Sequence, residues 1–135
     1  MTLVVDATVT VASVARADGF KLLGDEDLVA PALMWSEARS TLHLGLIKGR
    51  ISAEHATAQH ERLEACPVRQ AEERELGRRA WKIAEQFGWG RTYDAEYVAL
   101  AQILDCRLVT LDGGLRRGAD RLGFVVTPAE LVRNA

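Results

Sequence analysis

Leu3-Val4-Val5-Asp6, close to the start of the chain, sets three apolar residues directly against a carboxylate. Much further on, Leu108-Val109-Thr110-Leu111-Asp112 repeats the pattern. Short apolar runs of this kind read as strands buried on both faces, the signature of a parallel sheet covered by helices. Each is followed by a helical stretch, Ala7–Ala17 after the first and Leu115–Leu122 after the second. Between them the same alternation recurs. Leu28–Ala30 is a short strand candidate closed by Pro31, which favours extended backbone before it, and Leu33–Lys48 is a helix stopped by Gly49. Ser52 caps a helix running to about Glu64, Cys66–Arg69 is a weak strand, and Ala71–Phe87 is strongly helical up to Gly88. Asp94–Leu104 is a helix, Arg107–Leu111 a strand, Phe124–Thr127 a last strand, and Ala129–Val132 a final turn; Asp18–Gly24 reads as one more short helix. The expectation is one three-layer α/β domain over residues 1–135, with no linker, repeat or low-complexity segment.

Composition bounds the function. A chain of 135 residues with 48% hydrophobic and 27% charged residues can bury a core without disulfides or structural metal. No apolar run approaches the roughly 20 residues that span a bilayer. The apolar N-terminus lacks a basic leader and is interrupted by Asp6, so a cytoplasmic protein is expected. Cys66 and Cys106 stand apart, without C-x-x-C pairing, and read as free thiols. A formal net charge of -2 excludes nucleic-acid binding by bulk basicity, so any cations that grip RNA must be local.

Four acids are placed together by the architecture. Parallel strands joined by right-handed crossovers share one carboxyl edge, where ligands of open α/β sheets bind. Asp6 and Asp112 follow strands directly and so fall on that edge. The helix from Asp94 covers about 15 Å and the next strand climbs back about 16 Å, which returns Asp94 to the level of Asp112. Glu37 lies one turn inside the helix that leaves the Leu28–Ala30 strand. On a helical wheel it falls between Met34 and Thr41 on one side and Leu33 and Leu44 on the other, with no Lys or Arg three or four residues away. Singly, Asp6, Asp94 and Asp112 could each be no more than helix caps, and Glu37 a surface acid. Together they are costly. Two carboxylates about 5 Å apart repel by roughly 3 kcal/mol at an effective dielectric near 20. Hard divalent cations with oxygen ligands relieve that repulsion, and the chemistry that follows most naturally is phosphodiester hydrolysis.

These residues resemble the PIN domain along almost the whole chain. The opening strand with D-x-S/T stands as Val4-Val5-Asp6-Ala7-Thr8, and the second acid as Pro31-Ala-Leu-Met-Trp-Ser-Glu37. The third motif is Tyr93-Asp94-Ala95-Glu96-Tyr97-Val98-Ala99-Leu100-Ala101, and the fourth Thr110-Leu111-Asp112-Gly113-Gly114-Leu115. The resemblance implies a sheet ordered 3-2-1-4-5 and a metal-dependent ribonuclease, with Asp6, Glu37, Asp94 and Asp112 holding Mg²⁺ or Mn²⁺. It implies Thr8 and Thr110 as hydrogen-bonding supports, with Ser40 where the family often has Asn. An acid sometimes found just after the fourth motif is replaced here by Gly113, Gly114, Leu115 and Arg116. A stand-alone domain of this length is similar to VapC-type toxins, which implies structured RNA (tRNA or rRNA) as substrate, a VapB-type antitoxin as partner, and a homodimer. The alternative is a PIN-like RNA- or protein-binding module without activity. A receiver-like phosphorylation domain would need a lysine at a late strand end, where none stands, and no P-loop or G-x-G-x-x-G follows a strand. Arg91, Arg116 and Arg117, with Arg121, are the candidate phosphate contacts. Trp89, set between two glycines, is a candidate partner or substrate contact; Trp35, Trp81 and Leu76 read as core or dimer contacts. His43, His55 and His60 lack metal spacing and read as surface residues.

Overall fold

The structure, a computed structural model, describes residues 1–133. Five strands, β1 (Thr2–Val5), β2 (Asp27–Ala30), β3 (Val68–Gln70), β4 (Arg107–Val109) and β5 (Val125–Val126), form one sheet ordered β3-β2-β1-β4-β5. Every neighbouring pair is parallel. The helices are α1 (Ala7–Val14), α2 (Leu33–Ile47), α3 (Ala53–Glu64), α4 (Leu76–Phe87), α5 (Tyr93–Leu104), α6 (Gly113–Gly118) and α7 (Pro128–Arg133). Two 3₁₀ turns, Gly19–Leu23 and Asp120–Leu122, complete the described elements. This is the α/β architecture, with the strand order 3-2-1-4-5, that the sequence led us to expect.

β1 is the central strand because nothing polar interrupts it: Leu3, Val4 and Val5 are fully buried, and so are Leu108 and Val109 beside them. α1, α2 and α3 pack on one another, and α4 packs on α5, which in turn lies on β1. Tyr97, Val98, Ala99, Leu100 and Ala101 of α5 are all buried, so this helix has almost no wet face over its middle. No helix is long and apolar enough to cross a membrane among the described residues.

Several boundaries differ from the sequence expectation, each for a local reason. α1 stops at Val14 because the following turn folds back on it: a Cβ at Gly19 would lie 1.8 Å from the Ser13 carbonyl oxygen, so only glycine fits. Arg62 Nη1 then donates to the Val14 carbonyl at 2.9 Å, satisfying an orphan acceptor at the helix end. α4 starts at Leu76, five residues late, since the Ala71 amide is bonded to the Ala30 carbonyl at 3.0 Å and continues the β3 ladder. β3 itself is shifted to Val68–Gln70, beyond Pro67. β4 ends at Val109, two residues early: the Thr110 amide still bonds the Val126 carbonyl at 2.9 Å, but the Leu111 amide turns to the Thr8 hydroxyl in the site described next.

Candidate active site

Register places the acids. Val5 pairs with Val109, so Asp6 and Thr110 leave the two central strands side by side. Asp6 is buried and N-caps α1: its Oδ1 accepts the Val9 amide at 3.1 Å and the Thr8 hydroxyl at 2.6 Å. The Thr110 hydroxyl donates to Asp6 Oδ2, and Thr110 Oγ1 itself accepts the Asp112 amide at 3.0 Å. The Thr8 hydroxyl in turn accepts the Leu111 amide at 2.9 Å. Two threonine hydroxyls therefore clamp one carboxylate and tie the exit of β1 to the exit of β4. Burial raises the Asp6 carboxyl above its ordinary range, against the lowering effect of those hydrogen bonds, with Asp112 adding repulsion.

The other acids converge on this clamp from three further elements. Asp112 N-caps α6, with Oδ1 accepting the Gly114 and Leu115 amides at 2.9 and 3.2 Å. Glu37 sits on α2, and the Tyr97 hydroxyl of α5 donates to its Oε1 at 2.5 Å. Asp94 is the second residue of α5, and Thr92 rather than Asp94 holds the cap position, so the carboxylate projects without a capping bond. Asp6, Glu37, Asp94 and Asp112 together line a cleft of about 430 Å³ with Thr8, Tyr97 and the apolar Val11 and Leu111. None of the four pairs with a lysine or arginine among the described residues. Asp94 registers the crowding: burial, then the charges of Asp112, Glu37 and Asp6, push its carboxyl up to about 6.

Other sequence candidates fall differently. Ser40 is exposed and lines a side cleft with Glu37, Tyr93 and Glu96 rather than the acidic cleft; Thr41, one turn beyond Glu37, lines the acidic cleft instead. At about 100° per residue, a position four after Glu37 stays closer to its face than one three after it. Arg116 is engaged internally. Its Nε and Nη2 hold Glu130 at 2.8 and 3.0 Å, and its Nη1 holds Asp120 at 2.5 Å. The guanidinium is committed to docking α7, which holds the Glu130 carboxyl down to about 2. Arg91 and Arg117 are exposed, with no carboxylate partner among the described residues. Arg117 folds back along α6, its Nη1 lying 2.9 Å from where a Cβ of Gly113 would stand. Arg121 rests on the Phe87 ring at 4.1 Å. Trp35 and Leu76 pack on the core, whereas Trp81 is 66% exposed. Cys66 and Cys106 are free, half-buried thiols.

Two residues escaped the sequence reading. Tyr97, 1% exposed, is the hydroxyl that holds Glu37. Its signal was present: it stands three residues after Asp94, one turn along the same helix, in an otherwise apolar run. Burial and then the Glu37 hydrogen bond keep its phenol far above the usual range, so it remains a donor. Glu96, half-buried beside Glu37, is a fifth acid, raised by burial and then by the Glu37 charge.

The fold is that of a parallel α/β domain with acids along one sheet edge, and residues 3–121 match the PIN domain, so the chain belongs to the PIN domain family. PIN domains are typically nucleases and usually bind divalent metal. Among solved structures, PAE2754 from Pyrobaculum aerophilum is similar, with a TM-score of 0.78 and 24% sequence identity over 98% of this chain and 94% of that one. At that identity the likeness speaks for the fold. Comparison with curated proteins gives no match.

Proposed function

We propose that this chain is a metal-dependent endoribonuclease of the VapC toxin type, hydrolysing phosphodiester bonds in structured RNA such as tRNA or rRNA. The observation that carries the proposal is that Asp6, Glu37, Asp94 and Asp112 line one cleft with no lysine or arginine paired to them among the described residues. The donor set fits a hard divalent ion. Among the described residues no three acidic, imidazole or thiol side chains stand close enough together to hold a metal ion between them. Mg²⁺ does not need such a set, since it keeps several waters and takes about one or two carboxylates together with substrate phosphate. Bound there, Mg²⁺ or Mn²⁺ supplies Lewis-acid stabilisation of phosphate charge and a lowered pKa for the attacking water.

The chain's own residues prepare that ground. Thr8 and Thr110 fix both oxygens of Asp6, so its orientation is set before anything binds. Asp112 spends one oxygen on the α6 amides, and Glu37 spends one on Tyr97. Each thereby keeps its second oxygen free of side-chain hydrogen bonds among the described residues. Asp94, free of capping duty, is the most adjustable of the four. Val11 and Leu111 give the cleft its apolar walls. Arg91 and Arg117 are the cations placed to meet RNA phosphates; Arg116 supports α7. The reading includes a VapB-type antitoxin that covers the cleft, a cytoplasmic setting, and a homodimer.

The test is cleavage of total cellular RNA with mapping of the new ends. Mg²⁺ or Mn²⁺ should support it, EDTA should abolish it, and Asp6→Asn or Asp94→Asn should remove it while the circular dichroism stays native. Identical RNA ends from wild type and Asp94→Asn would refute the proposal.

A further inference from the structure

A second cleft, of about 340 Å³, shares the Asp94 wall with the acidic one. Its other walls are Gly88, Trp89, Gly90, Arg91 and Gly114, with Leu115 beneath. Three of these residues have no side chain. A Cβ at Gly88 or Gly90 would meet nothing within 4 Å, so the space beside them is open. The volume lies at the small end of the about 300–1,000 Å³ range of ligand clefts, enough for one nucleoside and too small for a base pair.

The aromatic wall is built in advance. α4 ends at Gly88, which adopts φ 72°, and the Trp89 amide bonds the Ala84 carbonyl at 2.8 Å. The indole stacks on Phe87 with centroids 4.9 Å apart and planes 24° apart, and the Arg121 guanidinium rests against the same Phe87 ring. Gly118 of α6 comes up to the indole edge, where a Cβ would be 3.7 Å from the ring. Trp89 is thus fixed by packing from two helices rather than left free on a loop. Arg91, exposed and unpaired among the described residues, adds the one positive charge of this cleft.

We propose that this cleft is a nucleobase subsite, in which an unpaired base of the RNA strand, next to the phosphate held at the acidic cleft, packs against Trp89 while Arg91 meets the adjoining backbone phosphate. The proposal rests on the nuclease reading above. An indole wall suits any base, because every base has a π-face, so the subsite selects a splayed-out nucleotide and not a particular sequence. It thereby favours loops and bulges over duplex as the place of cutting. Pre-set packing of the indole also means that little ordering is needed when the base arrives.

The experiment uses a 5′-fluorescein-labelled unstructured RNA of mixed sequence and a series with one abasic nucleotide moved along it. Binding is read by anisotropy on the Asp6→Asn protein with Mg²⁺, and cleavage is read on proteins with Asp6 intact. Trp89→Ala should weaken binding and raise KM roughly tenfold, within the span of base stacking on an aromatic, and Trp89→Phe should recover most of it. One abasic position beside the cut should impose a similar loss with Trp89 present and no further loss on Trp89→Ala. Arg91→Ala should lower the slope of log affinity against log salt by about one. Unchanged binding in folded Trp89→Ala, or an abasic series that is flat with Trp89 present, would overturn the subsite. Absence of cleavage at every divalent ion would overturn the nuclease reading alone, since the anisotropy arm still reports the base contact.

Discussion

Replacing Asp94 by Asn should make the metal-free protein more stable, although the residue lines the proposed metal cleft. In the native state its carboxyl is pushed from 3.8 to about 6 by burial and by three neighbouring acids. The sign follows from linkage: a carboxylate whose folded-state pKa is raised stabilises the fold while protonated, and that contribution is lost as pH rises through about 6. At about pH 7.5 the ionised group is a net cost, which the neutral amide of Asn does not carry. The full displacement corresponds to about 3 kcal/mol, and the partial exposure of Asp94 to solvent brings this to about 1–2 kcal/mol. For 135 residues, with an unfolding entropy of about 0.3 kcal/mol/K, the melting temperature should rise by about 4–7 °C. Differential scanning calorimetry in EDTA reads it directly. The gain should shrink as pH falls through about 6 and vanish near pH 4, where wild-type Asp94 is protonated as well. Added Mg²⁺ should raise the wild-type melting temperature and leave the Asn variant nearly unmoved. A variant that melts lower than wild type in EDTA, or gains equally at every pH, would refute the electrostatic account of the cleft.

Tyr97→Phe deletes the hydroxyl that holds Glu37 Oε1 and keeps the buried ring. Mn²⁺ affinity, followed by titration calorimetry, should fall about 10–100-fold while α5 stays folded; unchanged affinity would show that Glu37 needs no such anchor. Arg116→Ala should lower thermal stability and free Glu130, with little effect on the salt dependence of RNA binding, because its guanidinium is engaged within the fold. Arg117→Ala should do the reverse. An Arg116 variant whose main defect is in the salt slope would contradict the role given to it here.

What the sequence disclosed and what it withheld divide along the range of the interactions involved. The apolar runs before Asp6 and Asp112 carry their own meaning, so the central strands and the edge on which the acids lie were readable locally, while the strand order followed from the resemblance to the PIN domain. The caps at Asp6, Ser52 and Asp112 were readable for the same reason. Element ends were decided by partners far away in the chain. The helical character of residues 71–75 yields to a ladder bond from Ala30, and the β4 strand stops where Thr110 turns to Asp6 across 104 positions. The candidate Arg116 looked like any solvated cation on a helix, since nothing in its vicinity announces Glu130 fourteen residues on. Tyr97 hid in the opposite way, as one more buried aromatic in an apolar helix, and only the position of α2 reveals what its hydroxyl is for.

The hydroxyl bridge between Asp6 and Thr110 has a temporal consequence. Its two halves are made 104 positions apart, and the acid of the first strand acquires its full set of partners only when the fourth strand has emerged and paired. A nascent or prematurely terminated chain that stops short of β4 lacks Thr110 and Asp112 together, so its remaining carboxylates have neither the bridge nor the final companion. Whatever chemistry depends on this cleft therefore waits until β4 has been made and has paired with β1.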